Sequence, residues 1–209
     1  MITLAVQAGG RSSRMGRDKA LIPLGGIPLI EHVLRRAAGL AAEVLITTNR
    51  PTELAYLGIR LVADHEPGAG ALPGLLTALE AARGETVLLL ACDLPFVCRP
   101  LLEHLLSLAH EAQVVVPKWS DNLEPLHAVY SRSCADAVRA AVQAGQQRMI
   151  DILPRVTQRV VDEAAITQFD PHGWSFFNVN TPKDLALAEQ VLAEQANATQ
   201  LPFKAQTDI

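Results

Sequence analysis

The stretch Ile2-Thr3-Leu4-Ala5-Val6-Gln7-Ala8-Gly9-Gly10 decides the reading of the fold. An apolar run from Ile2 to Val6 reads as a first β-strand, and the paired glycines open a loop at its end. Adjacent glycines let the backbone turn sharply and approach a ligand, and exposed N–H groups there can cradle phosphate oxygens. The loop continues Arg11-Ser12-Ser13-Arg14-Met15-Gly16-Arg17-Asp18-Lys19, so Arg11, Arg14, Arg17 and Lys19 put four cations within nine residues. Glycines and cations in this order mark a polyphosphate site. The spacing is not a P-loop, because five residues separate Gly10 from Gly16 and Arg17 follows, which excludes a P-loop hydrolase. It is not a dinucleotide fingerprint either.

Outward from this loop, short apolar runs alternate with amphipathic stretches. Strands are expected at Ile2–Val6, Glu43–Thr47, Arg60–Ala63, Thr86–Ala91 and Gln113–Pro117, and helices at Leu29–Leu40, Thr52–Leu57, Leu75–Ala82, Pro100–Ala109, Cys134–Ala144 and Lys183–Glu194. Such alternation implies right-handed βαβ units. The expected fold is α/β, a Rossmann-like three-layer sandwich with a mostly parallel central sheet and helices on both faces. Pro125–Tyr130, Gln158–Val161 and Phe176–Val179 read as further strands, giving a small antiparallel element at one edge. Residues 1–195 are expected to form a single domain and 196–209 a mobile tail.

The chain has 209 residues, 49% hydrophobic and 19% charged, with a net charge of −4. That suffices for one sizeable core and speaks against general nucleic-acid binding, which favours a basic surface. The cations near the first strand are therefore a local feature. Cys92, Cys98 and Cys134 lack metal-ligand spacing and read as reduced thiols. The start of the chain does not resemble a signal peptide and no apolar run is long enough to span a bilayer, so a cytoplasmic protein without membrane contact is expected.

Ligands of open parallel sheets bind beyond the carboxyl ends of the strands. That rule collects Gly9 and Gly10 after the first strand, Asn49 after the second, Asp64 after the third and Asp93 after the fourth. Asp93 directly follows the most apolar strand, where a carboxylate must be paired or bind a cation. Magnesium, which takes few carboxylates together with waters and phosphates, fits that position. Lys19, with Arg14 next, is the candidate catalytic clamp on phosphate charge. Asn49 and Asp64 offer an amide and a carboxylate, matching the acceptor and the two donors on a guanine edge. Asn178 and Asn180 alternate along an extended segment and face one side.

The residues Ala8-Gly9-Gly10-x-Ser12-x-Arg14-Met15-Gly16-x-Asp18-Lys19-Ala20-Leu21 resemble the signature loop of nucleotidyltransferases, and more narrowly of the molybdenum cofactor guanylyltransferases. The similarity continues at Leu24-Gly25-Gly26-x-Pro28-Leu29-Ile30-Glu31-His32-Val33, Cys92-Asp93-Leu94-Pro95-Phe96, Glu124-Pro125-Leu126, Gly145-x-x-Arg148 and Asn178-x-Asn180-Thr181-Pro182-x-Asp184-Leu185. The resemblance implies the nucleotide-diphospho-sugar transferase type of fold. It implies transfer of GMP from GTP to molybdenum-molybdopterin with release of pyrophosphate, and Mg2+ as cofactor. It marks Gln7, Ala8, Gly9, Gly10, Lys19, Asn49, Asp64 and Asp93 as the nucleotide site, with Asp93 on the metal. Glu124, Arg148, Asn178 and Asn180 then face the second substrate, Arg148 as a partner for its phosphate. Transient contact with proteins that supply molybdopterin, and with molybdoenzymes, is a further implication. Two positions depart from the family pattern: Gln7 stands for the usual leucine, and Gly70-Ala71-Leu72-Pro73-Gly74-Leu75 stands for the usual Gly-Pro-Leu-Ala-Gly. Both adjoin the expected base pocket, which leaves a CTP-dependent transferase, or an enzyme that activates a sugar phosphate, as alternatives. A non-catalytic nucleotide-binding module is the alternative of another class.

Overall fold

The computed structural model describes residues 1–9, 19–64 and 70–200. Strand β1 (Ile2–Gln7) leads to a short turn of 3-10 helix at Lys19–Leu21, then to a two-residue hairpin, β2 (Pro23–Leu24) with β3 (Ile27–Pro28), and to helix α1 (Leu29–Arg36). Next come β4 (Glu43–Thr48), α2 (Pro51–Leu54), β5 (Arg60–Ala63), α3 (Ala71–Ala81), β6 (Thr86–Ala91) and α4 (Arg99–Ser107). The second half contains β7 (Val114–Trp119), β8 (Asn122–Leu123), β9 (His127–Ser131), α5 (Ala135–Gln143), β10 (Gln158–Val161), α6 (Glu163–Ile166) and α7 (Pro182–Gln200).

The main sheet runs β10-β7-β9-β6-β1-β4-β5, with β8 hydrogen-bonded to the end of β7. β1 pairs in parallel with β4 and β6, and β4 with β5. β9 is antiparallel to both β6 and β7, while β10 runs parallel to β7. The antiparallel strand therefore lies inside the sheet, and the strand expected at Phe176–Val179 does not form. Its place is taken by a 3-10 turn at Trp174–Phe176 and an extended segment.

Alternation along each buried strand builds two cores. Leu4, Val6, Ile46, Leu88 and Leu90 point to one face, where Ile30 and Val33 of α1 and Leu101, Leu102 and Leu105 of α4 meet them. Ala5, Leu45, Val87 and Leu89 point to the other, against Leu72, Leu75 and Leu79 of α3 and Val138 and Ala141 of α5. Helices on both faces explain why these strands carry no polar side. A third cluster joins Ile22, Leu24, Leu29 and Phe96 to Val179, Ala188 and Val191, and so fastens α7 over the segment that follows Lys19. Cys92 and Cys134 are buried free thiols, and Cys98 is half-buried. No helix among the described residues is long and apolar enough to cross a membrane.

The β7–β8 connection is a two-residue turn closed by the Trp119–Asn122 pair. Ser120 and Asp121 both have left-handed backbone, with φ of 46° and 66°. Such a turn favours Asn-Gly, and holding an ordinary side chain there costs energy. Asp121→Gly is expected to stabilise the protein by about 1 kcal/mol in urea unfolding, since the exposed Lys118–Asp121 ion pair it removes contributes little.

Candidate active site

The carboxyl ends of β1, β4, β5 and β6 form one rim of the sheet, as parallel pairing dictates. Ala8 donates its N–H to the Thr47 carbonyl at 2.8 Å, and Cys92 donates to the Gln7 carbonyl at 3.1 Å, so the strand ends stay paired up to the rim. Just beyond it, Gly9 lies against the side chains of Asp64 and Asn49: a side-chain carbon on Gly9 would run into Asp64 Oδ2 and come within 3.6 Å of Asn49 Nδ2. Three residues expected from strand ends are thus brought together. Gly10 and Arg14, with the rest of the arginine-bearing loop, lie outside the described residues, as do 65–69.

Gln7 ends β1 two residues before Gly9. It is buried, its Nε2 donates to the Ala71 carbonyl at 2.9 Å, and its Oε1 has no hydrogen-bond partner among the described residues. Gly74 is required opposite it, because a side chain there would collide with the Gln7 amide. The two departures from the family pattern, Gln7 and the 70–75 segment, therefore touch each other.

A second cluster gathers around Lys19. Its Nζ lies 3.2 Å from Asp93 Oδ2 and also donates to Asn180 Oδ1. The backbone fixes this arrangement, since Val179 donates to the Asp93 carbonyl at 3.0 Å. Asp184 then caps the turn, with Oδ2 accepting from the N–H groups of Asn180 at 3.0 Å and Thr181 at 2.8 Å. Desolvation raises the Asp184 carboxyl, but the Thr181 hydroxyl, these two backbone N–H groups and the Lys183 charge together hold it below its usual range.

The remaining residues expected at the second substrate separate into two places. Glu124 stands at the turn between β8 and β9, two residues before Leu126, whose carbonyl accepts from the Ala91 N–H at the end of β6. Burial alone pushes its carboxyl up to about 7, with no charged or hydrogen-bonding partner among the described residues to offset it. Asn178 Nδ2 donates to the Phe176 carbonyl at 3.3 Å. Arg148 is elsewhere: it is exposed, pairs with Asp151 at 2.8 Å, and adjoins the start of α3, where Leu72 donates to the Gln147 carbonyl.

Sequence reading missed the aromatic cleft beside Glu124. Its volume is about 260 Å³, and Trp119, Trp174, Phe176 and Phe177 contribute walls. The signal available was the clustering of Trp174, Phe176 and Phe177 within four residues of a chain with few aromatics.

The model of the MobA-like NTP transferase domain matches residues 4–160. A protein of Pelotomaculum thermopropionicum named "probable molybdenum cofactor guanylyltransferase" is 37% identical, over 93% of this chain and 94% of its own. One of the same name from Carboxydothermus hydrogenoformans is 34% identical, over 88% and 92%. The crystal structure of molybdopterin-guanine dinucleotide biosynthesis protein A from Archaeoglobus fulgidus superposes with a TM-score of 0.81 at 29% identity, over 92% of this chain and 99% of that one. The chain belongs to the MobA-like NTP transferase family.

Proposed function

We propose that the protein is a molybdenum cofactor guanylyltransferase, moving GMP from GTP to molybdenum-molybdopterin and releasing pyrophosphate. The observation that carries this reading is the Lys19 cluster: one compact cation between Asp93 and Asn180, on the rim where β1 and β6 end. Nucleotidyl transfer is an in-line displacement at phosphorus, so the protein's task is to position the reactants and to neutralise charge. Lys19 meets the charge that grows on the phosphate oxygens. Gly9 lets the triphosphate approach the backbone, while Asn49 and Asp64 read the guanine edge. Asn180 orients Lys19 and faces the incoming acceptor. No protein nucleophile is needed, because the acceptor's own phosphate attacks.

Asp93 fits a magnesium ion. Its Oδ1 makes no hydrogen bond among the described residues, and magnesium takes one or two carboxylates with waters and substrate phosphates. A dedicated protein cage is not offered, since no three His, Cys, Asp or Glu side chains converge among the described residues. Bound at Asp93, the ion would supply positive charge to the phosphates.

Base identity depends on the surroundings of Gln7, whose Oε1, without a partner among the described residues, accepts from a base that presents donors. Guanine presents two along one edge. Calorimetric binding of GTP, CTP, ATP and UTP with magnesium is expected to rank GTP first, and Asp93→Ala is expected to weaken it. Pyrophosphate release on adding molybdopterin completes the test. A preference for CTP would transfer the protein to a cytidylyl-transferring function.

A further inference from the structure

We propose that the cleft between the β7–β8 hairpin and residues 172–177 seats the pterin ring of the acceptor, with Glu124 reading the ring's amide-amine edge. The inference rests on the acceptor reading above and gives that acceptor a specific seat.

Four observations lead there. The first is composition: of nine Phe, Tyr and Trp residues in the chain, four line this cleft, including both tryptophans. Trp119, Trp174 and Phe177 stay partly exposed rather than sinking into the core. Partly exposed aromatic faces around about 260 Å³ provide stacking walls for a flat heterocycle.

The second is the state of Glu124. Its carboxylate is half-buried and has no protein partner among the described residues, and burial raises its pKa to about 7. A half-buried carboxylate without donors is a recognition group awaiting them. The pyrimidine half of a pterin presents a ring N–H and an exocyclic amino group side by side, which match the two oxygens of one carboxylate.

The third is rigidity. Gly173 has a φ of 65°, and a side-chain carbon on it would strike the indole of Trp119, with Nε1 only 2.6 Å away. Trp119 also stacks on Phe176, with ring centroids 5.8 Å apart. The wall is therefore held in place before any ligand arrives.

The fourth is continuity with the reacting centre. From Phe177 the chain continues, outside any helix or strand, through Asn178 and Val179 to Asn180, which holds Lys19. Three residues reach at most about 10 Å, a distance suited to a ligand with a ring at one end and a phosphate at the other. The two substrates would then be read alike, guanine by Asp64 and pterin by Glu124, from opposite sides of Lys19.

Because Trp119 and Trp174 are the only tryptophans and both line the cleft, intrinsic fluorescence reports its occupancy. Titration of the full chain with 6-hydroxymethylpterin, checked by calorimetry, should give saturable quenching. Glu124→Gln should weaken that binding about 10- to 100-fold, while leaving magnesium–GTP affinity unchanged. It should melt no lower than the parent, because it removes a charge that burial disfavours. Trp119→Leu should weaken pterin binding as well and guards against an uninformative first variant. The proposal is overturned if pterin does not quench, if both variants bind it like the parent, or if guanosine displaces it. Should the enzyme still transfer GMP to molybdopterin in that event, only the cleft assignment falls. If pyrophosphate is never released with molybdopterin although GTP binds, the acceptor reading itself falls.

Discussion

Lys19→Ala is expected to lower the rate of guanylyl transfer by about 10²–10³ and to leave the fold intact. An ammonium group has three N–H donors. Asp93 and Asn180 each engage one, which leaves a third for a phosphate oxygen. The positive charge is thus pre-aligned by a carboxylate and an amide, so little reorganisation accompanies the reaction. The stability cost should be small, because the pair is partly exposed at 26% and 14% for the two side chains, and ion pairs of that kind contribute about 0–1 kcal/mol. Lys19→Arg should rescue poorly, since a planar fork does not fit between Asp93 and Asn180 as a point charge does. Pyrophosphate release at saturating GTP and acceptor checks the prediction. A loss confined to KM would show that Lys19 acts only in ground-state binding.

His127 is expected to dominate the acid limit of the fold. The side chain is fully buried, edge-on to Phe176 with ring centroids 5.1 Å apart, and neither ring nitrogen makes a hydrogen bond of ordinary geometry among the described residues. Burial pulls its pKa from 6.5 down to about 4, against the opposing influence of the Asp170 charge and the Ser175 backbone. The folded state thus holds fewer protons than the unfolded state between those values. Stability from this group is complete above pH 6.5 and is lost as pH falls toward 4, a span worth roughly 3 kcal/mol at one residue. His127→Leu should flatten the stability curve between pH 7 and pH 4. It should also stabilise the protein at neutral pH by about 1–3 kcal/mol, by deleting two unsatisfied buried atoms. Urea midpoints at both pH values test this, and an unchanged acid slope in His127→Leu would refute it.

Much of the architecture is legible in the chain because the buried strands are unambiguous. Thr86–Ala91 is apolar on both faces, and the rule that ligands collect beyond parallel strand ends selects Gly9, Asn49, Asp64 and Asp93 from the order of strands and loops alone. The direction of β9 is not legible: a strand covered on both faces reads the same either way, and only tertiary pairing inserts it between β6 and β7. Phe176–Val179 misleads for a related reason. Its apolar residues serve the aromatic cluster, while Gly173 starts a turn and Asn178 bonds back to the Phe176 carbonyl, so no neighbouring strand is engaged. The hairpins at Pro23–Pro28 and Trp119–Asn122 are too short to show a period. Arg148 is expected beside the same ligand as Glu124, Asn178 and Asn180, yet sequence order says nothing of its local ion pair with Asp151. The lack of a partner for Glu124 among the described residues is likewise a three-dimensional fact.

The Lys19–Asn180 hydrogen bond joins residues 161 positions apart. Translation runs from the amino end, so Lys19 leaves the ribosome 161 residues before Asn180, and before the α7 segment that fastens it. Closing so long a loop is among the slower events of folding. Between those two events the strands can pair while the reaction centre is still incomplete. Assembly of the site is thus a checkpoint that follows sheet formation, and only a molecule that has docked α7 can hold Lys19 ready for chemistry.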